Sequence, residues 1–125
     1  MKTVRRRKLE RKTDYKARLF LLKSGMPRLV VRKTNKYIIA HIVTTNIAQD
    51  SVVVGISSKK LLEKGWPMKR KGSLKSCVAA YLTGLLIGKM AKEKKISAAI
   101  LDTGMYRNVH KSRIYALLKG VVDAG

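Results

Sequence analysis

Arg28-Leu-Val-Val-Arg-Lys-Thr-Asn-Lys-Tyr-Ile-Ile-Ala-His-Ile-Val-Thr44 is the stretch that decides the fold. Two runs rich in β-branched residues, 29–32 and 37–44, flank Thr34-Asn35-Lys36, whose composition is that of a hairpin turn. A two-residue or a four-residue loop leads to the same partition of side chains, because successive residues of a strand point to opposite faces. One face carries Leu29, Val31, Ile38, Ala40 and Ile42 and is purely aliphatic. The other carries Arg28, Val30, Arg32, Tyr37, Ile39 and His41. The first belongs on a core; the second reads as a basic platform bearing an aromatic ring.

Outward from the hairpin, residues 51–56 predict a third strand with Val52, Val54 and Ile56 on one face. Residues 59–64 predict a short helix ended by Gly65, and 66–72 a basic loop. A long helix then runs from a Ser73 cap to about Lys94, with Leu74, Val78, Leu82 and Leu85 on its buried side. Residues 97–102 predict a fourth strand and 103–111 a loop. The last helix starts at Ser112, with Ile114, Leu117, Leu118, Val121 and Val122 at helical spacing. Upstream, Thr13 caps a helix in which Tyr15, Leu19 and Leu22 share a face, and Gly25 and Pro27 stop it. Strands followed by helix, strand and helix indicate a single α/β domain over 13–125. Its helices pack on a mixed sheet, an antiparallel three-stranded meander plus a crossover strand.

Charge points to the partner. The 125 residues hold 29 Lys and Arg against 7 Asp and Glu, a net charge of +22. Like charge at that density repels itself in a compact domain, so a polyanion suits it, and nucleic acid ranks first. The bias concentrates in residues 1–36, with 14 cations and two acids, Glu10 and Asp14. Residues 1–12 have too little apolar content to pack and read as a basic arm, disordered alone and ordered on binding. Membrane is the rival anionic surface, but the longest nearly uncharged stretch, 76–88, is well short of the roughly 20 residues a span needs. Cys77 is the only cysteine. It excludes an internal disulfide framework and fits a reducing, cytoplasmic setting as a small buried residue.

Several strings invite catalytic readings. Ile100-Leu-Asp-Thr-Gly104 matches the aspartic-protease signature, but Met105 follows where a small residue belongs, and the remaining chain reads as helix. A strand ending in a turn, with Asp102 bonded locally, explains it. Gly84-Leu-Leu-Ile-Gly-Lys89 has one residue too few for a phosphate-binding loop and lies mid-helix; its glycines suit close packing on the sheet. His41 and His110 lack partners at metal-ligand spacing. Neither an enzyme nor a cofactor or small-molecule site is expected. His110 reads as a phosphate or base contact, and His41 as that or a packed sheet residue. The loop Tyr106-Arg-Asn-Val-His-Lys-Ser-Arg113 places three cations and a His before a helix N-terminus, where backbone N–H groups favour phosphate. Tyr15 and Tyr106 could stack bases, and a core role is as good a reading of each. Lys92, Glu93, Lys94 and Lys95 read as a solvated face.

Arg5-Arg-Arg-Lys8, Lys12-Thr-Asp-Tyr15, the run 27–36, Ala79-Ala-Tyr-Leu-Thr-Gly84, Ile100-Leu-Asp-Thr-Gly104 and Gly120-Val-Val-Asp-Ala-Gly125 occur in order along the chain. Together they closely resemble large-subunit ribosomal protein eighteen of the archaeal and eukaryotic type. The resemblance implies a structural constituent of the large ribosomal subunit that binds 5S ribosomal RNA in the central protuberance, and the self-repulsion of its charge suggests a monomer that depends on that RNA. Its implied neighbours are 23S ribosomal RNA and large-subunit ribosomal protein five. It carries RNA contact onto Arg5, Arg6, Arg7, Lys8, Arg11, Lys12 and Tyr15, onto Arg32, Asn35 and Lys36, and onto Arg107, His110, Lys111 and Arg113. Arg28, Lys33, His41, Lys69, Arg70, Lys71 and Tyr106 join them as candidates for their charge or ring. Relatives of this type continue past the Asp-Ala-Gly, so contacts from such an extension are not expected here. The late loop also lacks a Pro-Thr-Lys-Gly-type string. The alternative is another structured-RNA or chromatin binder with the same charge pattern.

Overall fold

The computed structural model describes residues 3–46 and 49–125. The elements run α1 (Arg6–Leu9), α2 (Tyr15–Lys23), β1 (Arg28–Lys33), β2 (Ile38–Asn46), β3 (Gln49–Ser57), α3 (Cys77–Glu93), β4 (Ile100–Asp102) and α4 (Arg113–Asp123). Two short 3-10 helices, Ser58–Leu62 and Met68–Ser73, lie between β3 and α3. The sheet order is β3-β2-β1-β4, with β4 parallel to β1 and the other pairs antiparallel. This is the mixed sheet the sequence predicts.

In the hairpin Arg28 pairs with Val43 and Lys33 with Ile38, so the loop is the two-residue form, Asn35-Lys36. The aliphatic face is wholly buried: Leu29, Val31, Ile38, Ala40 and Ile42 are each 3% exposed or less. Each buried Leu, Ile or Val stabilises by roughly 1.5–3 kcal/mol, and a one-residue slip would expose the whole set, which is why the register is firm. α3 and α4 cover this face, with Ile87, Ile114 and Leu117 completing the core. A satellite cluster of Leu61, Leu74 and Ala79, capped by Tyr37 and Trp66, supports the start of α3.

The third strand corrects one expectation. A register shift between Ile42 and Val43 leaves Val53 as an extra residue, so Val54 faces Ile42 while Val52 faces Val43. The bulge reverses the alternation: Val54 and Ile56 are buried, and Val52 is 56% exposed. β3 is an edge strand, where such bulges blunt pairing with other chains.

The long helix is also rotated from its predicted face. Its cap is Ser76, whose hydroxyl accepts from the Ala79 N–H, and not Ser73. Ala79, Ala80, Thr83, Gly84, Ile87, Gly88 and Ala91 are buried, whereas Val78 is exposed and Leu74 packs from the preceding loop. Small residues set this face because α3 presses on α4 and not only on the sheet. A Cβ on Gly84 would meet the Leu117 carbonyl, and one on Gly120 the Tyr81 carbonyl. With Gly120 turned inward, Val122 at the margin of the α4 stripe faces solvent.

Smaller differences follow from local chemistry. Asp14, not Thr13, caps α2, its carboxylate accepting from the N–H groups of Lys16 and Ala17. β4 keeps only three of its six predicted residues, and the basic loop contains a 3-10 helix. Cys77 is exposed at the start of α3 and not buried. The arm, whose first two positions lie outside the described residues, forms a turn of helix at Arg6–Leu9 with no buried residue.

Candidate nucleic-acid interface

The arm folds back toward the start of α2. The Arg5 guanidinium lies 4.6 Å from the centre of the Tyr15 ring, and Arg7 Nε donates to Thr13 Oγ1 at 2.8 Å. Glu10 holds Lys12 at 2.8 Å and Arg6 at 3.6 Å. Lys8 and Arg11 have no carboxylate within ion-pair distance among the described residues, and Arg11 ends the turn at φ 54°.

The late loop is tied to the hairpin by Tyr106. Its hydroxyl accepts from the Lys33 N–H at 3.0 Å and donates to the Lys33 carbonyl at 3.1 Å. Lys33 Nζ sits 4.9 Å from the same ring. Tyr106 thus has a holding role, one of the two roles its sequence allowed, and is half-buried. Beyond it Arg107, His110, Lys111 and Arg113 are exposed, with Lys111 at φ 57° just before the α4 cap residue Ser112. No acidic residue occupies the first turn of α4, so nothing there offsets the positive end of the helix dipole.

These pieces converge on one cleft of about 1230 Å³ between α2 and the end of β4. Arg7, Lys12, Tyr15, Arg18, Arg32 and Tyr106 are among its walls, so arm, hairpin strand and late loop meet there. Asn35 and Lys36 stand exposed at the hairpin tip. Lys69 and Arg70 instead line a second, smaller cleft of about 610 Å³ beside Trp66, which shares no residue with the first; Lys71 is exposed next to it. His41 is half-buried with its ring laid across Gly55, where a Cβ would come within 2.6 Å of it. That is the packed sheet residue of the two readings.

Arg28 is the correction that matters most. It sits on the predicted basic platform, but it is 3% exposed. Its Nη1 donates to Asp102 at 2.8 Å and its Nη2 reaches Asp50 at 3.0 Å, while Nε has no partner. Its charge is neutralised inside the protein and is not offered to a ligand. Arg32, partly exposed, donates to the Asp102 carbonyl at 3.0 Å and keeps part of its guanidinium toward the cleft. Asp102 also accepts from the Gly104 N–H at 2.9 Å, the local turn bond its motif suggests, but its main work is to hold Arg28.

Arg18 and Asp50 are absent from the sequence-derived site. Arg18 Nη2 reaches Asp50 Oδ2 at 3.1 Å across 32 positions, and Thr45 donates to the other oxygen at 2.8 Å. Partial burial pushes the Asp50 carboxyl up, but the bonds from Thr45 and Arg18 and the charges of Arg18 and Arg28 outweigh it. The net result is a pKa below the usual aspartate value. No local pattern signals such a pair, since its partners meet only once β3 and α2 are placed.

Comparison with known proteins supplies the family. The profile of the family described as ribosomal large subunit proteins 60S L5 and 50S L18 matches residues 1–98. Proteins named large ribosomal subunit protein uL18 from Korarchaeum cryptofilum, Methanothermobacter thermautotrophicus and Aeropyrum pernix are 48%, 42% and 43% identical. Each alignment covers 96% of this chain and 60%, 60% and 55% of the respective relative. The chain therefore spans rather less than two thirds of the length of these relatives. With its profile matched over most of the sequence and its relatives 42–48% identical, the chain belongs to the family of ribosomal large-subunit proteins 60S L5 and 50S L18.

Proposed function

We propose that this chain is a structural, non-catalytic part of the large ribosomal subunit that grips 5S ribosomal RNA and joins it to 23S ribosomal RNA. The place is the central protuberance of cytoplasmic ribosomes, with large-subunit ribosomal protein five as a neighbour. Family membership supports the ribosomal role. The single observation that carries the RNA assignment is the first cleft, where cations from three separate elements converge. Phosphates would be held by Arg5, Arg6, Arg7, Lys8, Arg11, Lys12 and Arg32, with Tyr15 offering a ring face for stacking. Asn35 and Lys36 at the hairpin tip, and Arg107, His110, Lys111 and Arg113 at the head of α4, extend the contact on either side. Lys69, Arg70 and Lys71, beside the separate second cleft, suit a second RNA segment, which is what a protein bridging two RNAs requires.

The test is a filter-binding titration against 5S ribosomal RNA and a length-matched transfer RNA at fixed, near-physiological salt. The expected result is a clear preference for 5S RNA, with affinity falling steeply as salt rises, because bound phosphates release counterions. The double charge reversal Arg6→Glu, Arg7→Glu weakens binding by about 1 kcal/mol or more. Equal affinity for the two RNAs overturns the 5S assignment and leaves a general RNA binder; a flat salt response overturns the electrostatic mechanism.

A further inference from the structure

α2 carries one wall of the cleft, yet it buries none of its residues, and Leu19 and Phe20 are 53% and 61% exposed. Apolar packing holds it only loosely, through the half-buried Leu21 and Leu22. Among the described residues, the side-chain bond that joins α2 to the sheet is the ion pair of Arg18 with Asp50. That pair belongs to a relay: Arg18 to Asp50, Asp50 to Arg28, Arg28 to Asp102.

We infer that Arg18 is an exchangeable phosphate ligand, held by Asp50 in the free protein and taken over by an RNA phosphate when the cleft is filled. The inference rests on the RNA-binding reading of that cleft. The relay makes the exchange cheap. When Arg18 leaves, Asp50 keeps Arg28 at 3.0 Å and the Thr45 hydroxyl at 2.8 Å, so no carboxylate is stranded. Arg28, the one fully buried charge of the set, keeps Asp102 and is undisturbed. The Arg18 side chain is already 31% exposed, so its departure uncovers no core. A guanidinium forks onto a phosphate as readily as onto a carboxylate, so the bond is traded like for like. α2, released from its only polar tether to the sheet among the described residues, is then free to follow the arm onto the RNA.

The experiment measures the affinity of the full chain for 5S ribosomal RNA across a salt series, for wild type, Arg18→Gln, Asp50→Asn and a control, Lys94→Gln, on the solvated end of α3. Thermal unfolding first confirms that each variant is folded. Arg18→Gln is expected to lower affinity roughly tenfold and to reduce the salt slope by about one phosphate equivalent. Asp50→Asn, which removes the competing carboxylate, is expected to hold or raise affinity with the slope unchanged. An Arg18→Gln variant with wild-type slope overturns the inference, and so does an Asp50→Asn variant as weak as Arg18→Gln, which would make the pair a fixed brace. A wild-type protein with no salt-dependent RNA binding would instead overturn the binding reading itself. Side-chain nitrogen NMR of the arginines in wild type gives a readout free of variants: the Arg18 signal must move on RNA addition while that of Arg28 stays.

Discussion

Arg28→Met separates two roles that the sequence of the hairpin leaves confounded. On the sheet pattern Arg28 shares a face with Arg32 and His41 and looks like an RNA contact; in the structure it is 3% exposed between two carboxylates. Removing one member of a buried ion pair generally costs about 3–5 kcal/mol, because the other charge is left unpaired in poor solvent. Here the two carboxylates differ. Asp50 is 36% exposed and retains Arg18, so it loses little; Asp102 is 11% exposed and retains the Gly104 N–H at 2.9 Å but, as a countercharge, only Arg32 at 3.7 Å. One stranded carboxylate with a distant substitute partner places the loss near the lower end, about 3 kcal/mol. That is a large share of the roughly 5–15 kcal/mol stability of an ordinary domain. For a chain of this length it lowers the melting temperature by about 10 °C or more. Urea unfolding with an unchanged m-value is the assay. The paired variant Arg28→Met, Asp102→Leu should recover most of the loss, since an apolar pair of similar volume removes both desolvation penalties. In RNA titrations Arg28→Met, measured where it is folded, should keep the wild-type salt slope. A loss under about 1 kcal/mol, or a slope reduced by one charge, would show that Arg28 faces the ligand and that the buried relay is misread.

Other perturbations bear on the packing and the site. Gly84→Ala gains about 1 kcal/mol of helix propensity, but its new methyl meets the Leu117 carbonyl, a backbone atom that cannot rotate away. Overpacking of about 1–3 kcal/mol or more should win, and a denaturation midpoint at or above wild type would contradict the close α3–α4 contact. Tyr106→Phe removes the hydroxyl that both accepts from the Lys33 N–H and donates to the Lys33 carbonyl. Its expected cost is about 1–2 kcal/mol, with faster amide exchange at Lys33, and unaltered exchange there would refute the tie. Asp50 titrates below its unfolded value of about 3.9, so its contribution to stability is complete above that pH and is lost as pH falls through the lower folded value. Asp50→Asn should therefore be less stable than wild type by a constant amount above about pH 4 and converge on it as pH falls further; a gap that already begins to close near pH 6 would refute this assignment.

How far the chain could be read in advance depended on the range of the interaction responsible. Alternation specified the two faces of the hairpin but left its loop length open, and its aliphatic face is the buried one residue for residue. The caps Asp14 and Ser76 lie one and three positions beyond the expected Thr13 and Ser73 because two nearby residues of capping type compete at each helix start. The face of α3 was missed for a deeper reason. Ranking Leu and Val above Gly and Ala assumes that a helix buries its largest residues, whereas a helix squeezed between a sheet and a second helix buries its smallest where backbones touch.

Charge shows the same division between local and distant causes. Counting cations located the arm and the late loop, whose side chains are exposed and have few acids near them. Counting failed at Arg28 and overlooked Arg18, because their carboxylates arrive from β3 and β4, far along the chain. With 29 cations and 7 acids, every acid near the cleft has a choice of partners. The placement of Asp50 and Asp102 therefore decides which arginines are neutralised within the protein and which keep their charge exposed. Glu10 pairs with Arg6 and Lys12 only at the exposed surface of the arm, which leaves both open to exchange, while Lys8 and Arg11 stay without a carboxylate among the described residues. In a chain this basic the scarce acids, more than the abundant cations, carry the information about where positive charge is left uncompensated.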